Sequence, residues 1–368
     1  MNHKKNSIFD VSFEDLKDIL VDLGQPDYRI KQLWRSLYHE GKKSFSEITN
    51  ISKDLRNILS KRFYIDLFKP KIYLSSKDLS TDKALFELKD GELIETVLMR
   101  YNSDGHRNSR KTVCISTQAG CALGCTFCAT GQQGFRRNLT FGEIVKQVLY
   151  MRQLALSEDM KEVAKGSRTK GEIQGVTNIV FMGMGEPLAN YDNIISAIRI
   201  LNDPLGLNIG ARHITVSTVG LVPQILKLSE EKIQINLAVS LHASDNETRS
   251  STMPINKRYP IEELINACKK YISKTGRRIF FEYVLLSEHN DSEEHAYKLG
   301  KLLNGIKCHV NLIPVNPTDE GIYGRTKSDK ARNFQAKLKK FNIPSTLRSE
   351  KGIDINAGCG QLRSRIEL

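Results

Sequence analysis

From about residue 110 onward the chain alternates between short β-rich runs and amphipathic helical patterns, and this alternation limits the possible folds more than any other feature. "VCISTQ" leads through a cysteine loop to "FGEIVKQVLYMRQLAL", and "NIVFMGMG" precedes "NIISAIRILN". "HITVSTVG" precedes "PQILKLSEEK", and "INLAVSLHA" precedes "IEELINACKKYISK". "RIFFEYVLL" then leads to "EEHAYKLGKLL", and "HVNLIPVN" to "ARNFQAKLKKF", which makes six βα units. Parallel strands joined by right-handed helical crossovers form an open sheet or a barrel. Six units fall short of the eight of a closed barrel.

The segment 1–65 reads differently. "FEDLKDILVDLG" sets Phe13, Leu16, Ile19 and Leu20 on one face and ends on Gly24, and "YRIKQLWRSLYHE" and "SKDLRNILSKRF" repeat the pattern. Short amphipathic helices need partners, so these predict a small helical accessory domain. A β-rich extension, 66–109, carries "PKIYLSS", "KALFELKD" and "ELIETVLMRY". The α/β unit then spans 110–350, and a tail, 351–368, closes the chain. The polar stretches 101–111 and 157–175 read as exposed insertions.

Composition narrows the class of function. Hydrophobic residues make up 40% and charged residues 26%, an ordinary globular balance. There is no run of about 18 apolar residues to span a membrane. The lysines near the start are followed by no apolar stretch of a secretory signal, so a cytoplasmic protein is expected. A net charge of +13 suits a polyanionic partner, and equally a soluble enzyme that is simply basic. Seven cysteines in such a chain point to metal or redox use rather than a disulfide framework.

Three of those cysteines, Cys121, Cys125 and Cys128, stand in "CALGCTFC" with no fourth cysteine or histidine at short range. Structural zinc takes four protein ligands. Three thiolates on one loop suit a cubane that keeps one iron open, while zinc stays possible if Cys114 or a distant histidine completes the set. The loop leaves a strand's C-terminal end, where α/β folds gather their chemistry. Cys268 and Cys308 sit within apolar patterns and read as core thiols.

The C-x3-C-x2-C run, with Phe127 before its last cysteine, resembles the radical S-adenosylmethionine enzymes, and "GMGEP" (183–187) resembles their second motif. "CALGCTFCATGQQGFRRNLT", "FMGMGEPLANYDN", "LAVSLHASDNETRSSTMPINKRYP" and "GIDINAGCGQL" are similar to the RlmN group of RNA adenine-C2 methyltransferases, and the likeness covers nearly the whole chain. It implies a partial (βα)6 barrel of TIM type with a small N-terminal helical domain. It implies a [4Fe–4S] cluster on Cys121, Cys125 and Cys128, and an S-adenosylmethionine site at Gly185, Glu186, Ser217, Ser240, Leu241, His242 and Asn316. The implied substrates are 23S rRNA and the tRNA adenosine 3′ to the anticodon. An external electron donor is implied too, and a monomer is the default expectation.

Adenine C2 is electron-poor and a weak nucleophile towards a sulfonium methyl, which is why radical chemistry suits it. By resemblance, Cys359 takes a methyl from one S-adenosylmethionine, and a second molecule gives the radical that activates it. The resulting protein–RNA adduct is released when Glu95 accepts the C2 proton and Cys114 attacks the Cys359 sulfur, leaving a disulfide. Read from its residues alone, Glu95 is an exposed strand carboxylate, and Cys359 has the uncrowded backbone that flanking glycines give. The target base must leave its stack, and Arg136, Arg137 and the N-terminal basic residues are candidates to clamp the RNA. The rival readings are a Cfr-type C8 methyltransferase, an RNA-binding protein with structural zinc, and a radical enzyme acting on a small molecule or a protein.

Overall fold

The computed structural model describes residues 5–102, 109–167, 169, 171, 173–316, 322–349 and 351–363. Its frame is a ten-stranded sheet whose strands lie side by side in chain order. β1 (Pro70–Ser75), β2 (Thr81–Glu87), β3 (Leu93–Tyr101) and β4 (Arg110–Cys114) form an antiparallel meander. From β4 the sheet continues in parallel through β5 (Asn178–Phe181), β6 (Ile214–Thr218), β7 (Asn236–Ser240), β8 (Ile279–Leu285), β9 (Cys308–Pro314) and β10 (Ser345–Leu347). The end strands β1 and β10 are not neighbours, so the parallel part is the expected partial barrel. It has one strand more than the six read from sequence. β10 is three residues long, "STL", and too short and polar to register as a buried run.

Parallel strands are covered on both faces, so they read as continuous apolar runs; Leu237, Ala238 and Val239 of β7 are all fully buried. The covering helices are α4 (Phe141–Ala164), α5 (Tyr191–Asn202), α6 (Val222–Leu228), α7 (Ile261–Thr275), α8 (Glu293–Leu303) and α9 (Ser328–Lys339). A reciprocal capping box between Thr140 and Glu143 starts α4, which satisfies two backbone donors at once.

The first part of the 157–175 stretch, 157–164, is not the loop its polarity suggested; of the rest, 168, 170 and 172 lie outside the described residues, and 165–167, 169 and 171 are exposed as expected. α4 runs on to Ala164, and Asp159 is fully buried. Its carboxylate accepts from Lys111 Nζ at 2.7 Å and from the Gly175 amide at 2.9 Å. An acid with that many donors can be interior, and here it ties α4 to β4. Of the 101–111 stretch, 103–108 lie outside the described residues, while Arg110 and Lys111 belong to β4.

The N-terminal helices α1 (Phe13–Asp22), α2 (Tyr28–Trp34) and α3 (Lys53–Arg62) are docked onto the barrel. Leu16, Leu33, Trp34 and Tyr38 belong to the same hydrophobic cluster as Ile144 and Val148 of α4. Trp34 Nε1 donates to Asp203 at 3.0 Å, and Lys146 of α4 pairs with Asp66 at 2.9 Å. Removing side chains of this size from water at about 25 cal/mol per Å² is what keeps so short a helical unit in place.

Candidate active site at the strand ends

The cysteine loop is pinned at its neck. Gln118–Gly120 pairs in antiparallel fashion with Phe135–Asn138, and the Cys121 amide donates to Gly134 O at 2.9 Å. A Cβ at Gly120, whose φ is +72°, would stand 1.9 Å from that carbonyl oxygen, so only glycine fits. Within the loop the Cys128 amide donates to Cys125 O at 3.2 Å, and Cys125 is buried while Cys121 and Cys128 are partly exposed. Burial pushes all three thiols up, Cys121 to about 12, and their neighbouring sulfurs add to this in Cys121 and Cys125. Free thiols held protonated this way become ligands only against a positively charged centre. The donor set thus fits an iron–sulfur cluster.

Beside the loop opens a cleft of about 790 Å³, mouth included, at the C-terminal ends of β5 to β9. Gly185, Glu186, Ser217, Ser240, His242 and Asn316 line it, as does Cys128. Gly183 and Gly185 let the chain approach closely: a Cβ would sit 2.6 Å from Ile115 O and 2.5 Å from Gln118 Cβ respectively. Glu186 is buried, and its two carboxylate oxygens accept the amides of Leu188 at 3.0 Å and Val219 at 2.9 Å. Burial pushes it up to about 7 even so. His242 is pushed down to about 3 by burial and by the Arg249 charge, so it is neutral. Its Nδ1 accepts from the Val284 amide at 3.0 Å, and Phe127 of the cysteine loop packs on its ring edge-on at 4.9 Å.

Two buried oxygens facing this cleft, Glu282 Oε2 and Asn316 Oδ1, have no protein partner. Orphaned acceptors are costly unless a ligand supplies donors. They fit the amine and hydroxyl groups of S-adenosylmethionine. Leu241 does not share the lining. Its side chain is fully buried in the core, as an apolar residue between two ligand-facing neighbours must be, and only its backbone takes part in the strand end.

A second cavity, about 780 Å³, adjoins the first. Cys114, Met99, Tyr101 and Lys351 line it, and Cys359, Gly360, Asn316 and Arg348 line both. Cys359 is exposed between the two. The tail that carries it is tied on both sides: the Ala129 amide donates to Gly360 O at 2.8 Å, Thr130 Oγ1 to Leu362 O at 2.8 Å, and Lys83 Nζ to Asn356 O at 3.3 Å. The flanking glycines are therefore not there for open space. A Cβ on Gly358 would meet Asn316 Nδ2 at 2.6 Å, and Gly360, at φ +82°, lies against Phe127 O. They allow tight packing around the thiol.

Glu95 corrects the reading from its residues alone. It is 3% exposed, pairs with Lys83 Nζ at 3.0 Å and accepts the Arg363 amide at 2.8 Å. It lines neither cavity, but it lies on the face of β3 that carries Val97, and Val97 stands directly opposite Cys114. Burial and the facing Cys359 push the Cys114 thiol up to about 12. All seven cysteines are free thiols, so the disulfide implied by resemblance is not present in this state. Cys268 and Cys308 are buried core thiols, as expected. Arg137 is committed to a salt-bridge brace with Asp90 and Glu143, whereas Arg136 is exposed, as is the ring of Phe135, the residue before it in the chain.

Sequence reasoning missed Arg348 and Glu282. Arg348 follows β10, and the neighbouring Cys359 and Glu282 push its guanidinium above its ordinary value against the cost of burial. Glu282 carried a signal: it is the one acid inside the apolar strand "RIFFEYVLL", and an acid there needs a reason.

Residues 115–300 match the Radical SAM superfamily, and residues 6–65 match the Ribosomal RNA large subunit methyltransferase N-terminal domain. The fold is that of the radical S-adenosylmethionine enzymes, whose cofactors are a [4Fe–4S] cluster and S-adenosylmethionine. The chain is 46% identical, over 99% of its length and 94% of theirs, to proteins of Staphylococcus aureus strains JH9 and Newman described as "Probable dual-specificity RNA methyltransferase RlmN". The crystal structure of a radical SAM methyltransferase from Sphaerobacter thermophilus matches with a TM-score of 0.87 at 43% identity, covering 98% of this chain and 99% of that one. The chain belongs to the RlmN family of radical SAM RNA methyltransferases. That membership removes the structural-zinc alternative. Among the described residues no helix is long and apolar enough to cross a membrane.

Proposed function

We propose that this protein methylates C2 of an adenine in 23S rRNA and of the tRNA adenosine 3′ to the anticodon. The observation that carries the reading is the place of Cys359, in the wall common to two cavities, one lined by Glu186, Ser217 and Ser240 and the other by Cys114. Cys121, Cys125 and Cys128 hold the cluster, and Gly185, Glu186, Ser217, Ser240, His242 and Asn316, with the Leu241 backbone, bind S-adenosylmethionine. When bound, these groups supply a methyl group and a 5′-deoxyadenosyl radical, with two S-adenosylmethionine molecules used per product.

Cys359 carries the methyl as a thioether. Once that methyl has lost a hydrogen atom, its carbon bonds to C2 and joins protein to RNA. Glu95 accepts the C2 proton, and the Lys83 ammonium balances its charge. Cys114, as its thiolate, attacks the Cys359 sulfur, and the bond from that sulfur to the methylene carbon breaks. The carbon takes up a proton to become the C2 methyl group. The one electron left over passes back to the redox couple that the external donor serves, and the disulfide formed is reduced before the next turnover. Arg348, on the border of both cavities, favours the thiolate form of Cys114. The enzyme acts as a monomer in the cytoplasm and draws electrons from an external donor.

The test is nucleoside mass spectrometry after anaerobic incubation of reconstituted protein with S-adenosylmethionine, reductant and either protein-free 23S rRNA or bulk tRNA. 2-Methyladenosine is expected in both. 8-Methyladenosine would move the protein to the Cfr-type reaction, and S-adenosylmethionine cleavage without a methylated adenine in either RNA would overturn the substrate.

A further inference from the structure

Among the described residues, Arg249 is a fully buried cation with no acid paired to it. It belongs to the short helix Asn246–Thr252 and is 0% exposed. All five of its N–H groups go to neutral oxygens. Nε donates to Leu241 O at 3.2 Å, Nη1 to Asn256 Oδ1 at 2.9 Å and Tyr259 O at 3.4 Å, and Nη2 to Val219 O at 2.6 Å and Ser240 O at 3.3 Å. Among the described residues no carboxylate pairs with it. Gly220, at φ +107°, keeps the space beside Nη2 clear: its Cβ would stand 3.4 Å from that atom.

A charge removed from water is normally balanced by an opposite charge, because dipoles alone replace its hydration poorly. Burial lowers the Arg249 guanidinium only to about 10, so it stays charged at neutral pH. The ionisable groups that feel this charge are Cys125, Cys268 and His242. His242 is neutral, and Cys268 is a core thiol pushed up to about 12. Only Cys125 lies on the cysteine loop, and that loop is hydrogen-bonded to the end of the Arg249 helix, the Thr126 amide donating to Thr252 O at 3.0 Å.

We infer that Arg249 is the fixed counter-charge of the iron–sulfur centre, setting its reduction potential from the helix hydrogen-bonded to the cysteine loop while its fork ties together the ends of β6 and β7. The inference rests on the assignment of the cluster to Cys121, Cys125 and Cys128. A cubane on three thiolates is anionic and gains a further negative charge on reduction. A buried cation nearby therefore favours the reduced form, the one able to cleave S-adenosylmethionine. Arg249 touches no reacting atom; it is a positioning residue that also fixes charge.

The experiment is a redox titration of the full-length, anaerobically reconstituted protein, followed by electron paramagnetic resonance without S-adenosylmethionine. Asn256→Asp sets a carboxylate on Nη1 and cancels the charge with the guanidinium still in place. Its reduction equilibrium is expected to become at least tenfold less favourable, about 59 mV for one electron. Arg249→Gln moves the same way. Arg249→Lys holds the wild-type potential to within a fewfold but melts lower, since three N–H groups cannot replace five. An iron-loaded Asn256→Asp protein at the wild-type potential would overturn the inference, as would a Lys variant shifted as far as the Gln variant. Should the Gln variant not fold, the Asp and Lys variants decide. A Cys125→Ala protein that keeps full iron and signal would instead overturn the cluster assignment itself.

Discussion

Asn316 Nδ2 donates to the backbone carbonyl of Cys359 at 3.2 Å. The same side chain lines the cleft at the strand ends, where its Oδ1 is buried without a protein partner. One amide thus spans the cofactor cleft and the thiol-bearing tail. Any ligand that engages Oδ1 orients the group that holds Cys359.

This arrangement predicts the behaviour of Asn316→Ala. The loss of one net hydrogen bond is worth about 1 kcal/mol, and the tail loses one of several ties, so melting should hardly change. Methyl transfer to RNA should fall about tenfold in single turnover, while S-adenosylmethionine cleavage without transfer rises. Equal falls in cleavage and transfer would show that Asn316 serves the cofactor alone.

Cys114 gives a pH dependence. Burial, with the facing Cys359 adding to it, pushes its thiol up to about 12, and only Arg348 and a backbone hydrogen bond pull the other way. The attacking species is the thiolate. Far below its pKa the thiolate fraction grows about tenfold per pH unit. Decay of the protein–RNA adduct, followed by acid quench and denaturing gel, should therefore quicken from pH 7 to 9. Cys114→Ala should accumulate the adduct at every pH, and an adduct that decays at a pH-independent rate would argue against Cys114 as the resolving thiol.

The parts of the site that a local pattern encodes were legible in the sequence. The cysteine loop, "GMGEP" and the "GCG" of the tail each place their chemistry within a few residues, and strands buried on both faces stand out as apolar runs. What escaped depends on partners far away along the chain. Glu95 reads as solvent-facing because its cation, Lys83, sits on the next strand. Arg137 reads as a candidate for RNA because Asp90 lies 47 residues away. Arg348 has no local signal at all; only the pairing of β9 with β10 brings it to the cavities. Asp159 was hidden by the polarity of its own helix turn.

The two arginines after the cysteine loop should separate cleanly. Arg136 is exposed and makes none of the ion pairs of Arg137 among the described residues, and an exposed guanidinium suits a phosphate. Arg136→Ala should weaken RNA binding and reduce the salt dependence by about one phosphate contact, with melting unchanged. Arg137→Ala removes the brace to Asp90 and Glu143 and should lower the melting temperature with little change in the salt slope. Filter binding across a salt series and thermal melts check both, and the reverse pattern would exchange their roles.

Glu186 couples ligand binding to pH and stability. Burial raises it from its ordinary value to about 7, against the pull of the Val219 and Leu188 amides. A carboxyl that binds its proton more tightly when folded contributes stability in full below about pH 4.5. That contribution is lost as pH climbs to about 7, each unit being worth about 1.4 kcal/mol. Glu186→Gln removes this titration. The difference in melting temperature, variant minus wild type, should therefore be more positive at pH 8 than at pH 4.5, whatever its absolute value. The same ionisation gives the cleft its negative charge for a cationic amine, so wild-type affinity for S-adenosylmethionine should drop as pH falls below 7. The Gln variant should bind weakly at every pH. Calorimetry from pH 6 to 8 checks this, and a wild-type affinity that does not change over that range would remove Glu186 from the amine site.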